Sequence, residues 1–305
     1  MADLVVKNGI LVTLREELPG VGVAAAGSKI VAVARDEDLP PAEHVLDIGG
    51  NYILPGLIDG HVHFREPGLE YKEDFGTGSL AAAMGGVTCV LDMPNTKPPT
   101  GTPEVVRLKQ RLAEEKSYVD FGILGLVVQE NVDQLLPMRE AGVVGYKCFL
   151  GETIGNIPAP DDGMLVEAMG VIAGGGLRVG FHAENNPIMQ HLIARYKAEG
   201  RTDALAHLES RPVVAEVEAI QRLALFALHT GCKVHVFHLS SKDGMDTIAE
   251  WRAKGVDITC ETGPHYCFLS LDEYGRQGSV VRMNPPVRGL EHGQALLEGL
   301  VNGKV

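Results

Sequence analysis

From residue 53 onward, the sequence alternates short apolar runs with segments of helical composition, and this alternation limits the possible folds more than any other feature. The apolar runs have the length and β-branched content of buried strands, and the intervening segments mostly end at glycine, as helices often do. Repeated strand–helix units predict a parallel sheet, and seven of them favour a TIM-like α/β barrel over an open sheet. The seven predicted strands are Ile53–Ile58, Val87–Met93, Tyr118–Val127, Val143–Leu150, Leu177–His182, Lys233–His238 and Asp257–Glu261.

The segment before this alternation follows a different pattern. Three β-rich runs, DLVVKNGILVT, GVGVAAAGSKIVAVA and HVLDIGGNYILPG, are interrupted by Asn-Gly, Gly-Ser and Gly-Gly pairs that favour tight turns. These runs predict hairpins in one small sheet. We therefore expect two domains, a small N-terminal β lobe over residues 1–54, as part of a composite β-sandwich, and a barrel over residues 55–305.

The end of the alternation bears on how complete the barrel is. The last helical segment, LEHGQALLEGLVNG, is followed only by Lys304 and Val305. An eight-stranded barrel needs one more strand at this point. The sequence therefore predicts a (β/α) barrel truncated before strand eight, incomplete at its C-terminus.

Charge and composition exclude several classes of partner. A net charge of -13 and a pI near 5.3 would repel a nucleic-acid backbone. No apolar run reaches the length of about 18 residues that a membrane span needs, and the N-terminus lacks the pattern of a secretory signal. Five scattered cysteines without a C-x-x-C pair fit reduced thiols. These features predict a cytoplasmic protein that binds neither nucleic acid nor a membrane.

Four histidines lie at or just beyond the ends of predicted strands, where the active sites of such barrels collect. His61 and His63 follow the first strand, His182 ends the fifth and His238 ends the sixth. Residues two apart on a strand point the same way, so His61 and His63 can face one point inside the barrel. Each histidine could instead be a core residue bonded to a backbone carbonyl. Four together favour a metal site, because histidine is a common zinc ligand.

Lys147 lies at the same rim, near the end of the fourth predicted strand in GYKCFL. A lysine in that position could turn to solvent or pair with a carboxylate. A desolvated lysine near positive charge loses its proton readily, however, and the neutral amine can react with carbon dioxide to give a carbamate. The two anionic oxygens of a carbamate suit a bridge between metals about 3.5–4 Å apart.

Seven sequence blocks, in this order along the chain, resemble the cyclic amidohydrolases, dihydroorotase and allantoinase in particular. The resemblance extends from the β lobe through the seventh predicted strand. Together the blocks are a far more specific signal than an H-x-H pair alone. They are DGHVHFREPG, DMPNTKPPT, GYKCFLGETIGN, GFHAEN, VHVFHLSS, ETGPHY and MNPPVR.

The resemblance implies a centre with two divalent metal ions, for which zinc is expected. In that family, residues matching His61 and His63 bind one ion, and residues matching His182 and His238 bind the second. A carboxylated lysine matching Lys147 bridges the two ions, which activate water for attack on a ring amide carbonyl. The family's proton-transferring aspartate follows strand eight in a Thr-Asp-His motif. This motif does not occur in the sequence, so no catalytic acid–base residue is assigned.

Three further residues imply a substrate that carries a carboxylate. In dihydroorotases, residues matching Arg65, Asn95 and Asn284 hold the substrate, and a guanidinium is well suited to the ring carboxylate. Arg65 could instead pair with Glu66 or Glu70. We therefore expect a dihydroorotase, which hydrolyses dihydroorotate reversibly to N-carbamoylaspartate in pyrimidine biosynthesis, and we expect it to be a homo-oligomer.

The sequence leaves two alternatives open. Lys147 in GYKCFL, and HAEN where a dihydroorotase would have HAED, resemble allantoinases and hydantoinases, which open cyclic ureide rings that have no carboxylate to bind. The second alternative is a catalytically silent, dihydroorotase-like structural subunit. The retained histidines and Lys147 argue against such a subunit, and the missing eighth strand argues for it.

Overall fold

The computed structural model describes residues 1–151 and 157–305, so the ETIGN end of the GYKCFLGETIGN block lies outside the described residues. The chain divides into two compact units, Met1–Leu57 and Ile58–Val305. Each unit has its own sheets, and the candidate site residues all belong to the second unit.

The N-terminal unit contains two sheets where the sequence predicted one. The strand orders are β5-β4-β1-β6 and β3-β2-β7. The hairpin predicted at Gly27 is present between β4 and β5, but the Asn8-Gly9 turn forms no hairpin, because β1 pairs with β4 and β6 while β2 pairs with β3 and β7. The strands are β1 (Ala2–Lys7), β2 (Ile10–Val12), β3 (Glu17–Pro19), β4 (Val21–Ala26), β5 (Lys29–Arg35), β6 (Ala42–Asp47) and β7 (Tyr52–Ile53).

The second unit is organised around one parallel sheet of seven strands in sequential order, as the alternation of strands and helices predicted. The first of these strands covers Leu57–Val62, four residues later than predicted. Pro55 and Gly56 end the preceding run, and Tyr52–Ile53 pairs with β2 instead. The strands are β8 (Leu57–Val62), β9 (Val87–Asp92), β10 (Asp120–Val127), β11 (Gly145–Phe149), β12 (Arg178–His182), β13 (Lys233–Val236) and β14 (Ile258–Cys260).

The sheet is curled like part of a barrel. His61 in β8 and Glu261, the residue after β14, lie 2.6 Å apart, although their strands form the two edges of the sheet. The fold is therefore an α/β half-barrel of seven parallel strands, in agreement with the predicted class. The truncation before an eighth strand stays a prediction.

Helices connect successive strands, and several begin at residues that the sequence marks as caps. Asp161, Asn185 and Ser241 each accept a hydrogen bond from a backbone N–H in the first turn of α4, α5 or α8. The helices are α1 (Phe75–Met84), α2 (Pro103–Lys116), α3 (Leu135–Glu140), α4 (Asp162–Gly175), α5 (Asn186–Ala198), α6 (Ala204–Glu209), α7 (Val213–Thr230), α8 (Lys242–Ala253), α9 (Pro264–Phe268), α10 (Asp272–Gln277) and α11 (Leu290–Val301). Within the described ranges, no helix is both long and apolar enough to span a membrane.

The main hydrophobic core lies between the sheet and these helices. Tyr146 and Cys148 of β11 belong to it, together with side chains of α4, α7 and α8 such as Leu165, Leu223 and Ile248. Side chains alternate across a strand, so Lys147, which lies between Tyr146 and Cys148, faces away from the helices. This alternation turns Lys147 toward the inside of the curled sheet.

Candidate functional site

A cavity of about 490 Å³ opens at the carboxyl ends of the parallel strands. All eight residues that the sequence proposed as metal or substrate ligands contribute to its wall, although they come from six separate segments of the chain. The wall consists of His61, His63, Arg65, Asn95, Lys147, Phe149, His182, His238, Arg282, Met283 and Asn284.

The strands determine how the histidines enter this cavity. His61 lies within β8, and His63 is the first residue after its end, so both project from the same face. His182 is the last residue of β12. His238 follows β13 by two residues and has φ +42°, a left-handed backbone conformation that a residue with a side chain seldom adopts.

The four imidazoles form a continuous cluster. We call His61 and His63 the first histidine pair, and His182 and His238 the second histidine pair. Ring centroids are 5.2 Å apart within the first pair and 4.7 Å apart within the second, and the rings of His61 and His238 are separated by 5.3 Å. Nδ1 of His182 and Nε2 of His238 lie only 3.1 Å apart.

Two carboxylates fix the orientation of one ring in each pair. Nδ1 of His61 donates to Oε1 of Glu261 at 2.6 Å, and Nε2 of His182 donates to Oε2 of Glu184 at 2.7 Å. In each ring the other nitrogen remains to face the cavity, as is usual for metal-binding histidines. Sequence reasoning gave Glu261 no role, and its position at the end of the last predicted strand was the signal that could have found it.

Burial keeps the imidazoles neutral. Desolvation lowers the pKa of all four histidines below the usual value, and the positive charge of Lys147 lowers each pKa further. The pKa values of His63 and His238 fall furthest. Hydrogen bonds to Glu261 and Glu184 oppose the effect at the other two rings. Neutral imidazole is the form that binds a metal ion.

Lys147 is completely buried, and its Nζ has no hydrogen-bond partner among the described residues. The ammonium group lies 3.8 Å from the ring centroid of Phe237, which occupies space left by Gly180 on the neighbouring strand. A Cβ atom at Gly180 would lie 1.9 Å from that ring. Burial lowers the pKa of Lys147 to about 7. A large fraction of the amine is therefore neutral, and able to react with carbon dioxide, near physiological pH.

The donor groups suit divalent ions of the zinc type, which bind imidazole nitrogen at about 2.0–2.1 Å. Two such nitrogens on one tetrahedral ion lie roughly 3.3 Å apart by the same geometry, close to the separation found in the second histidine pair. Among residues 1–151 and 157–305, no three His, Cys, Asp or Glu side chains meet around a single point. A further ligand is therefore needed at each pair, and Lys147 as a carbamate has the chemistry to supply it.

Arg65, Asn95 and Asn284 also line the cavity. Arg65 has φ +65°, and its Nη1 is buried with no hydrogen-bond partner among the described residues. Neither proposed acidic partner pairs with it: Glu66 pairs with Lys116, and Glu70 accepts from the backbone N–H of Gly68. Part of the guanidinium is therefore available to a ligand.

Asn95 is tied to the first histidine pair by a hydrogen bond to His63. Asn284 follows two further wall residues, Arg282 and Met283, on the segment between α10 and α11. Oδ1 of Asn284 is buried without a partner among the described residues. Both asparagines therefore bring amide groups to the cavity that the four imidazoles also line.

Two other histidines of the second unit have partners of their own. His235 lies on β13 and contacts Thr259 and Glu261 inside the curled sheet, outside the cavity wall. His265 contacts Tyr266, with ring centroids 4.1 Å apart.

Comparison with known proteins supports the resemblance. A family model described as dihydro-orotase-like matches residues 50–244. The allantoinase of Deinococcus radiodurans is 39% identical over 306 residues, which cover 99% of this chain and 68% of that protein. The allantoinase of Enterococcus faecalis is 38% identical over 314 residues, which cover 100% of this chain and 68% of that protein. The solved L-hydantoinase (dihydropyrimidinase) of Arthrobacter aurescens is 35% identical, with a TM-score of 0.96 over 100% of this chain and 68% of that one.

Proposed function

Because this chain belongs to the dihydroorotase-like family of cyclic amidohydrolases, we propose that it opens the ring of a small cyclic ureide by metal-dependent hydrolysis of a C–N bond. The relatives named above are allantoinases and a hydantoinase. They favour the allantoinase or hydantoinase-like alternative over the dihydroorotase that Arg65 led us to expect. They also favour an enzyme over a silent structural subunit.

The observation that carries the proposal is the chemical state of the groups around the cavity. Burial lowers the pKa of the imidazoles in both histidine pairs, and it lowers the pKa of Lys147 to about 7. A scaffold has no use for five buried basic groups whose pKa values are lowered by burial, because each costs free energy to desolvate. A metal-dependent hydrolase needs them in that state.

We assign one ion to the first histidine pair, the other to the second pair, and the bridging role to the carbamate of Lys147. When bound, two divalent ions would lower the pKa of water and polarise the ring carbonyl. Glu261 and Glu184 hold His61 and His182 so that one nitrogen of each faces the cavity.

The remaining wall residues orient the ring. The amide groups of Asn95 and Asn284 match the alternating N–H and C=O groups of a ureide, to which they can both donate and accept. Phe149 covers the cavity from the β11 side, next to Lys147. We assign no residue to protonation of the leaving nitrogen, since no aspartate or glutamate is among the described residues that line the cavity.

One observation favours dihydroorotate as a second candidate substrate. A neutral ring such as hydantoin or allantoin has no use for a guanidinium, yet Arg65 presents a buried Nη1 without a partner among the described residues. A carboxylate on the substrate would satisfy that group with a charge-assisted hydrogen bond. The two candidates therefore differ in whether Arg65 contributes to turnover.

A substrate panel tests the proposal. The chain is purified with zinc and bicarbonate, and its metal content is measured before hydantoin, allantoin, dihydrouracil and dihydroorotate are offered at equal concentration. We expect zinc to be bound and a neutral ureide to be opened faster than dihydroorotate, with ring-opened product measured by chromatography. His63→Ala should remove the zinc equivalent held by the first histidine pair, whereas replacement of the exposed His191 by alanine should remove none. Parent protein that binds no zinc contradicts the proposal.

A further inference from the structure

The two histidines of the second pair come from different strands, so something must fix the distance between them. Each is followed two residues later by a buried polar side chain, Glu184 after His182 and Ser240 after His238. The loops that carry these residues leave β12 and β13 at the carboxyl edge of the sheet. The partners of Glu184 and Ser240 therefore decide how the two loops are held.

Glu184 connects the first loop to an arginine. Its Oε2 accepts a hydrogen bond from His182 at 2.7 Å and another from Nη1 of Arg211, the residue that precedes α7 by one proline. Both Glu184 and Arg211 are buried. Burial raises the pKa of the Glu184 carboxyl, but the bond from His182 and the charge of Arg211 outweigh it, so the pKa lies below its ordinary value.

Ser240 connects the second loop to a carboxylate on α7. Its backbone N–H and hydroxyl donate to Oε1 of Glu216 at 3.0 and 2.8 Å, and the hydroxyl of Ser241 donates to Oε2. Glu216 lies in the first turn of α7, the helix that begins two residues after Arg211. Both loops are thus anchored to the beginning of α7, one through an arginine and one through a glutamate.

Arg288 joins the two anchors. Its Nη1 donates to the carbonyl of Arg211 at 2.9 Å, and its Nε donates to the hydroxyl of Ser240 at 2.9 Å. Arg288 is the last residue of the MNPPVR block, and the proposed function gives Arg288 itself no role. With it, the hydrogen bonds run without interruption from His182 through Glu184, Arg211, Arg288 and Ser240 to Glu216.

The network contains four buried charges, which sum to zero. Exposure of Glu184, Arg211, Glu216 and Arg288 is 0%, 3%, 1% and 5%. Burying four charges, of which only Glu184 and Arg211 form a direct ion pair, is expensive, and apolar residues of similar volume often give equal or greater stability. Hydrogen bonds with fixed directions, in contrast, specify the position of a loop more narrowly than apolar packing does.

We infer that the buried network of Glu184, Arg211, Glu216, Ser240 and Arg288 sets the spacing of His182 and His238, and thereby determines how tightly the second histidine pair holds a metal ion. Arg288 and Ser240 are positioning residues, because they touch neither imidazole directly. The inference rests on the proposed metal-binding role of the second pair.

Cobalt(II) titration of the metal-free 305-residue chain tests the inference, with bound cobalt followed by its visible absorption. Arg288→Met keeps an unbranched apolar side chain but removes both hydrogen bonds, and we expect it to weaken one of two cobalt equivalents by roughly 10- to 100-fold, as changes behind a metal ligand do. Ser240→Ala removes the hydroxyl that bonds Glu216 and Arg288 but keeps the backbone N–H bond to Glu216, and we expect a weakening of at least about fivefold, the equivalent of one hydrogen bond.

Arg178→Met is the matched control. Arg178 begins β12 at the end opposite His182 and bonds the carbonyl of Val234 and the side chain of Asp257. Its loss should lower the melting temperature without changing cobalt affinity, so the control separates positioning from general destabilisation. If Arg288→Met does not fold, as judged by circular dichroism, Ser240→Ala decides.

The outcomes distinguish the inference from the proposed function. Parent protein that binds no cobalt overturns both. Parent protein that binds two equivalents, together with Arg288→Met and Ser240→Ala chains that bind both within twofold of the parent, overturns the inference alone. Weakening of one equivalent in these variants, with the other unchanged and with parent affinity in Arg178→Met, supports it.

Discussion

The two histidine pairs reach the same cavity by different means. His61 and His63 are two residues apart, and the pleat of a single strand aligns them. His182 and His238 are 56 residues apart and come from adjacent strands. The first pair is supported by Glu261, a partly exposed carboxylate, whereas the second is backed by a fully buried network of four charged residues.

This difference indicates what local geometry can and cannot supply. Where a strand sets the spacing of two ligands, a single carboxylate suffices to orient one ring. Where the ligands come from separate strands, their spacing depends on loops, and the chain buries two arginines and two glutamates to hold those loops. The first pair should therefore tolerate changes around it better than the second, and the following experiments can break or sharpen that comparison.

Lys147→Ala should have the largest effect, because the amine acts on both pairs. Its charge lowers the pKa of all four imidazoles, and its carbamate would bridge both ions. We expect both equivalents of zinc to be lost and turnover to fall below detection, as measured by metal analysis and product chromatography. Lys233→Ala, which removes an exposed lysine at the start of β13, should change neither. Loss of only one ion would mean that a single pair depends on Lys147.

Arg65→Met should have the next largest effect, confined to anionic substrates. If the parent enzyme turns over dihydroorotate, loss of the guanidinium should lower kcat/KM for that substrate. The corresponding loss of transition-state stabilisation should be about 2–4 kcal/mol, the cost of leaving a buried charge unpaired. Turnover of hydantoin or allantoin should change less than twofold. The exposed Arg107 replaced by methionine is the control. A larger loss with the neutral rings would assign Arg65 a role in the first pair and not in substrate choice.

Glu261→Gln should have a smaller effect than the two changes above. It removes the charge that orients His61, and we expect the first ion to bind roughly 10- to 100-fold more weakly while the second is unaffected. Cobalt titration measures both equivalents, with Glu250→Gln on the exposed face of α8 as control. Equal weakening of both equivalents would contradict the separate support of the two pairs.

The smallest expected effect is a dependence of carbamate formation at Lys147 on pH. Because the pKa of Lys147 is about 7, the neutral fraction of the amine rises from about a tenth at pH 6 to one half at pH 7 and about nine tenths at pH 8. At constant dissolved carbon dioxide, carbamate formation, followed by carbon-13 NMR, should speed up about fivefold from pH 6 to 7 and less than twofold from pH 7 to 8. A tenfold rise per pH unit throughout would show that the pKa of Lys147 is not lowered.

The fold could be predicted where periodicity is strong and not where pairing partners are distant. The alternation of strands and helices gave the parallel sheet and its sequential order. The apolar run around Ile53 continues across Pro55 and predicts a first strand that starts four residues too early, because periodicity does not register which sheet a residue joins. For the same reason the Asn8-Gly9 pair predicts a hairpin, although β1 and β2 belong to different sheets.

At the candidate site, the five metal-ligand candidates that the sequence proposed lie at or near strand ends, and they line one cavity together with Arg65, Asn95 and Asn284. The residues that it missed act through long-range contacts. Arg211 and Arg288 are 77 residues apart, and Arg288 and Ser240 are separated by 48. No local pattern predicts such partners, since each depends on how α7 and the α10–α11 segment pack against the loops. Glu261 was closer to detection, because it ends a predicted strand.

The site depends on the absence of a side chain at Gly180. The ring of Phe237 can lie against Lys147 only because residue 180, opposite Lys147 on the adjacent strand, has no methyl group. Anyone transplanting this centre into another scaffold would copy the histidines and the lysine, and would have to copy that omission as well. An alanine there would push the aromatic shield aside, admit solvent, and return the amine to the inert, fully charged state of an ordinary surface lysine.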